Sequence, residues 1–176
     1  PDGLVTGVQT CALPICAAAG ETLIVRMIHA FKAQNMEKHA LVEKITAFIK
    51  KSRVFFISES LDNLIKNGRI SKWKGLIATT LNILPIMGSD GEGEIKLVEK
   101  VRNSNKAYLR LIEILQEETA KNGSKIVTIT HVGNVERASQ IKEAVLKFDQ
   151  IEEVIMVKCA GLSSMYADKK GIIVAY

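Results

Sequence analysis

No apolar run in the 176 residues reaches the ~18 needed to cross a bilayer as a helix, so no membrane span is expected. Aromatic residues make up only 5%, too few for the stacking platforms that grip single-stranded nucleic acid. There is no P-loop, no GxGxxG after a strand pattern and no GxSxG elbow, so neither a phosphate cradle nor a hydrolase nucleophile turn is written locally. His, Cys, Asp and Glu nowhere fall at metal-ligand spacing, and no metal or cofactor is expected. Asp90-Gly91-Glu92-Gly93 shares letters with a calcium loop but lacks EF-hand spacing and reads as a hairpin turn. Residues 1–16 contain no basic residue and no Met, which excludes the basic n-region of a signal peptide.

What is present is a globular composition, 47% hydrophobic and 24% charged, enough for a real core and too apolar for wholesale disorder. The net charge of +5 comes from 24 Lys+Arg against 19 Asp+Glu, mostly interspersed as on a solvated surface. The densest positive stretch runs from Lys66 to Lys74 and carries Lys66, Arg69, Lys72 and Lys74 with no acid among them. Two of the three cysteines, Cys11 and Cys16, lie in the first sixteen residues. There, Val5-Thr-Gly-Val-Gln-Thr-Cys-Ala-Leu-Pro-Ile15 resembles the conceptual translation of a common sequencing-adapter oligonucleotide. On that reading residues 1–16 are not native and the frame is cut at its 5′ end. Removing them deletes only Asp2, so the charge becomes 24 − 18 = +6. One thiol, Cys159, then remains, which excludes an intrachain disulfide and suits a reducing, cytoplasmic setting.

From Ala17 the chain has no linker. Leu23, Ile24, Met27, Ile28 and Phe31 recur at helical spacing, as do Leu41, Ile45, Phe48 and Ile49, with a break near Gln34-Asn35. Arg53–Ile57 reads as a strand. Ser60 is placed to cap a helix through Leu61, Leu64 and Ile65, with Gly68 at its C′ position. Ser71 would cap a further helix to Asn82. Ile83–Met87 is extended, and Pro85 marks an edge strand or a strand start. Ser89–Gly93 is a turn and Glu94–Val101 its hairpin partner. Tyr108, Leu111, Ile112, Leu115 and Thr119 line one face of a long helix that Gly123 ends. Lys125–Thr130, Glu153–Lys158 and Gly171–Ala175 are strands, with a helix between the first two that Asn134 would cap and that buries Ala138, Ile141, Val145 and Phe148. This order predicts an α/β fold, an α+β two-layer sandwich on a mixed sheet.

Three positions invite chemistry. His131 ends a strand just before a helix start, where α/β proteins bind ligands and anions. His29 and His39 sit within helical stretches and read as packing and solvated residues. Gly68 would turn the backbone sharply and project Arg69 from a helix end, where a guanidinium can hold a carboxylate or phosphate in bidentate fashion or simply cap carbonyls. Cys159 reads as a buried, inert thiol. These residues leave two readings open: a hydrolase using His131 with the Ser163/Ser164 loop, and a nucleic-acid binder using Lys66–Lys74.

The segment LDNLIKNGRISKWKGLIATTLNILPIM (61–87) resembles the hallmark of the DegV family: L-x-x-L-x-x-G-G-R-[IL]-[ST], a helix, then L-x-[IL]-x-P-[IL]. The hairpin at Asp90-Gly91, the Lys100-Val-Arg102 stretch and the long helix after it follow the same order. The resemblance runs from about Ala18 to Tyr176. It implies residues 17–52 as a connecting helical segment and 53–176 as a DegV-like C-terminal domain, with the N-terminal domain missing. It also implies function. Family members are similar to subunits that hold a long-chain fatty acid in a tunnel between two α/β domains. They present its carboxylate to a separate ATP-dependent fatty-acid kinase subunit and are not enzymes themselves.

By this resemblance Arg69 lies near the carboxylate, Lys66, Lys72 and Lys74 help dock the kinase, and Leu76, Ile77, Leu81 and Ile83 line the tunnel. Two departures stand out. Asn67 replaces the first Gly of the motif, and Ala160–Gly171 replaces the family's His-Thr-Gly-Pro-Gly loop. Ser163, Ser164 and, by position, Tyr166 are the groups there able to donate to a carboxylate; His131 completes the candidate set. Burying a ~15-carbon tail at ~0.8 kcal/mol per CH₂ yields roughly 12 kcal/mol gross, enough to offset association costs with few polar contacts.

Overall fold

The structure, a computed structural model, describes residues 18–70, 83–89 and 94–176. Helix α1 (Ala19–Lys32) ends at a turn in which Asn35 adopts a left-handed φ of 52°, the break expected at Gln34-Asn35. Helix α2 (Lys38–Lys51) follows and buries none of its residues. It leans on α1, with the Lys44 ammonium 5.4 Å from the Phe31 ring centroid, a cation–π contact. Strand β1 (Val54–Ile57), helix α3 (Asp62–Lys66) and the hairpin of β2 (Ile83–Ser89) and β3 (Ile95–Arg102) come next. Helix α4 (Ser104–Asn122), β4 (Ile126–His131), α5 (Val135–Val145), β5 (Glu153–Lys158), α6 (Gly161–Ala167) and β6 (Ile172–Ala175) complete the chain.

The six strands form one sheet in the order β3-β2-β1-β6-β4-β5. Only β4 and β5, joined through α5, pair in parallel; every other pair is antiparallel. The mixed sheet is the one the element order predicted. Of the two readings of Pro85, an edge strand or a strand start, the edge does not hold, because β2 lies inside the sheet between β3 and β1, with Pro85 near its start. Pro85 is nevertheless accommodated, because β1 pairs only with Ile86, Met87 and Gly88. Around Pro85 the β1 side of the strand is unpaired, so the missing N–H breaks no ladder bond there. Ser89 pairs with Ile95, which makes the connection a hairpin; turn residues 90–93 lie outside the described residues.

Alternation along the strands divides the buried side chains between two faces. Phe55, Ile57, Ile86, Val127, Ile129, Ile172 and Val174 point toward α4 and α5. They meet Tyr108, Leu111, Leu115, Ala138, Ile141 and Val145, most of them fully buried. Helix α4 is well delimited. The Asn103 side chain accepts from the Asn105 and Lys106 N–H groups, and Gly123 ends the helix in the left-handed region. The opposite face carries α1, α3 and α6 over two smaller clusters, so the sheet has helices on both sides. Ala19 and Leu23 of α1 pack there with Ile173 and Ala175, and the Thr128 hydroxyl donates to the Ala19 carbonyl at 2.6 Å.

Candidate functional site

The Leu61–Ile70 segment forms the helix and turn its spacing implied, but Ser60 stands one residue ahead of the N-cap, Leu61, which has no side-chain cap bond. The Ser60 hydroxyl accepts from the Asp62 N–H at 3.2 Å, and α3 runs for a turn and a half. The chain then closes in a Schellman turn. The Arg69 N–H donates to the Leu64 carbonyl at 2.8 Å and the Gly68 N–H to the Ile65 carbonyl at 3.0 Å. Gly68 takes φ +71°, a conformation that strains any residue with a Cβ. The turn drives Ile70, 2% exposed, into a cluster with Leu61, Leu64 and Met87. Arg69 is left on the outside. It is exposed, and its guanidinium makes no hydrogen bond or ion pair among the described residues. Lys66 is exposed one turn earlier, and Ile83 is partly buried at the start of β2. Lys72, Lys74, Leu76, Ile77 and Leu81, together with the helix Ser71 would cap, lie outside the described residues.

The segment read as the Ser163/Ser164 loop contains a helix, α6. The Ser164 hydroxyl turns back to the Gly161 carbonyl at 2.7 Å, while Ser163 is partly buried and makes no hydrogen bond among the described residues. Leu162 and Met165 stand exposed at 62% and 41%. A seven-residue helix is too short to persist unaided, and α6 is held by its neighbours. The Asn63 side-chain amide donates to the Met165 carbonyl at 2.8 Å. The buried Ser58 hydroxyl lies 2.6 Å from both the Ala167 and the Ser60 carbonyls. Just past the helix, Asp168 and Lys170 both have left-handed φ, and a Cβ at Gly171 would sit 2.1 Å from the Ala167 oxygen. Glycine is therefore required at that turn. The helix was signalled by Leu162, Met165 and Tyr166 at i, i+3 and i+4 between Gly161 and Gly171. Nothing local signals its ties to Ser58 and Asn63.

His131 lies elsewhere. By alternation with Val127 and Ile129 it points to the α4/α5 face, whereas α6 packs on the other. It is buried, and its Nδ1 accepts the Asn134 N–H at 3.2 Å, which leaves the proton on Nε2. Burial first, and then the Lys158 ammonium on the neighbouring strand, hold its pKa below the ordinary value. No carboxylate bonds it among the described residues. The expected cap at Asn134 is absent. Its side chain instead donates to the Lys170 carbonyl at 2.8 Å and ties α5 to the turn after α6. Beside it the Arg137 guanidinium stacks on the Tyr108 ring, 4.7 Å from the centroid.

Cys159 is buried, and burial pushes its thiol pKa up, with the adjacent Thr130 hydroxyl a lesser influence in the other direction. That weak contact falls short of an ordinary hydrogen bond, so among the described residues the buried Thr130 oxygen has no full partner. His39 is exposed and pairs with Glu43 at 3.3 Å, a solvated helix-face residue. Among the described residues no group of His, Cys, Asp and Glu could hold a metal, and no helix is long and apolar enough to cross a membrane.

The α3–α6 side thus offers, among the described residues, one guanidinium and one hydroxyl without hydrogen-bond partners, together with exposed apolar side chains. This combination suits an amphiphile with an anionic head.

Comparison with known proteins gives this arrangement a context. Residues 15–175 match the family described as "Uncharacterised protein, DegV family", the match starting where the adapter-like stretch ends. A DegV domain-containing protein of Streptococcus pyogenes serotype M1 is 32% identical over 161 residues, covering 91% of this chain and 57% of its own length. The crystal structure of a DegV-family protein from Ruminococcus gnavus, with vaccenic acid, superposes with a TM-score of 0.82 at 33% identity, over 89% of this chain and 56% of that one. The Streptococcus pneumoniae fatty acid kinase B3 protein, loaded with linoleic acid, superposes with a TM-score of 0.74 at 28% identity, over 88% and 54%. The chain therefore spans little more than half the length of the relatives it matches. The matching residues cover nearly all of it, and the chain belongs to the DegV family.

Proposed function

We propose that this chain is the C-terminal part of a non-catalytic fatty-acid-binding protein that holds a long acyl chain and offers its carboxylate to a separate ATP-dependent kinase subunit. The observation that carries the reading is the bound vaccenic acid in the Ruminococcus gnavus relative, whose fold this chain shares at 33% identity. The linoleic acid in the fatty acid kinase B3 protein supports both the ligand class and the kinase partner. On this reading residues 1–16 are foreign, 17–52 connect to a preceding domain, and 53–176 form the domain described above. Arg69 takes the carboxylate, helped by Ser163, with Ser164 beside it on α6; His131, on the other face of the sheet, does not join this group. Leu76, Ile77, Leu81 and Ile83 line the acyl path, and Lys66, Lys72 and Lys74 face the kinase.

The hydrolase alternative is not favoured. Its histidine accepts a backbone N–H in place of a carboxylate partner, and its serines sit across the sheet. The test is to express the protein from its complete reading frame and extract what it carries for mass spectrometry. A free fatty acid is expected; a nucleotide or sugar with no acyl chain would overturn the reading.

A further inference from the structure

Helix α6 has seven residues and no side-chain cap, yet it carries Ser163 beside α3, whose closing turn leads to Arg69. Its carbonyls at Met165 and Ala167 are taken up by Asn63 and Ser58, both from the β1–α3 segment. We propose that Asn63 and Ser58 are positioning residues that fasten α6 to α3, fixing the Ser163 hydroxyl relative to the Arg69 guanidinium so that the two meet one carboxylate.

This rests on the fatty-acid reading. The physical reason is specific. A helix this short does not hold its place by backbone bonds alone. Two rotatable groups gain from a shared anion only if the elements bearing them keep a fixed separation. The bond from Asn63 must be made by its amide nitrogen, because the partner is a carbonyl oxygen. The Ser58 hydroxyl has one hydrogen for two carbonyls at 2.6 Å, so it bridges the strand-end turn at Ser60 to the end of α6. The Lys170–Glu59 ion pair, 3.2 Å, adds a solvent-side tie between the same two segments.

The experiment compares palmitic acid with 1-hexadecanol, which has the same chain and no carboxylate, on the protein expressed from its complete reading frame. The wild type should prefer the acid. Asn63→Ala should lower affinity for the acid about fivefold, the size of one hydrogen bond, and leave the alcohol unchanged. Ser58→Ala should do the same, and Asn63→Gln should recover part of the loss. A role confined to stability would weaken both ligands alike and keep their ratio. If the wild type prefers the acid and neither substitution alters that preference, the positioning role is overturned and the fatty-acid reading stands. If the wild type binds both alike, the carboxylate site fails and the positioning role fails with it.

Discussion

The two faces of the sheet are built to different specifications. On one, α4 and α5 lay long apolar stripes over a continuous core, and α4 has a side-chain cap at its start and a left-handed glycine at its end. On the other, two small clusters lie under α1 and under helices of five and seven residues, with polar ties from Ser58, Asn63 and the Thr128 hydroxyl. The first face maximises buried area, which carries most of folding stability. Among the described residues the second leaves the Arg69 guanidinium and the Ser163 hydroxyl without hydrogen-bond partners and the Leu162 and Met165 side chains exposed, as elements that meet a ligand must be. On the proposed function, stability and ligand contact are thus divided between the two sides of a single layer of strands, and each face should respond to substitution in its own way.

The largest expected effect is on the α4 face. Leu111 is fully buried, and Leu111→Ala should cost about 3 kcal/mol in urea unfolding, whereas Leu162→Ala on α6 should stay within about 0.5 kcal/mol. Equal costs would erase the distinction between the faces. Next is Gly171→Ala. The added methyl meets the Ala167 carbonyl, and a loss of about 2 kcal/mol should accompany weaker acyl retention, because α6 must shift. Unfolding and retention measured on the same preparation would check whether they move together. Gly68→Ala places a Cβ at φ +71° and should cost about 1 kcal/mol by the same urea measurement.

The smallest effect is a pH slope. The folded-state pKa of His131 lies below its ordinary value near 6.5, so the unfolded chain binds more protons in the interval between the two. Stability should therefore be fully present above about pH 6.5 and fall as pH drops through that interval toward the folded value. His131→Asn removes the titrating ring. The difference between its unfolding-versus-pH curve and that of the wild type should isolate the slope; superimposable curves would mean His131 titrates normally.

Much of this division was legible in the sequence because it rests on local periodicity. The α4 stripe from Tyr108 to Thr119, the strands through Val127 and Val154 and the end of α3 at Gly68 all follow from spacing and from glycine's backbone freedom. What was not legible depends on distant partners. Ser58 reaches Ala167 across 109 residues and Asn63 reaches Met165 across 102, so no window contains both ends. Asn134 looked like a helix cap, but Lys170, 36 residues away, offered its side chain a carbonyl instead. Pro85 suggested an edge by its missing donor, and the short reach of β1 let it sit inside the sheet. Arg69 could be singled out from the turn that exposes it; that α6 lies beside it could not.

Arg69, held outside by its turn, is proposed to receive the carboxylate of a fatty acid. That role is tested most directly by titrating palmitic acid into the protein expressed from its complete reading frame, wild type beside Arg69→Ala. The expected result is saturable binding by the wild type and an affinity at least about tenfold lower in the variant, the scale of a charge-assisted hydrogen bond, with unfolding unchanged because the side chain is exposed. Equal affinities in the two proteins would contradict it.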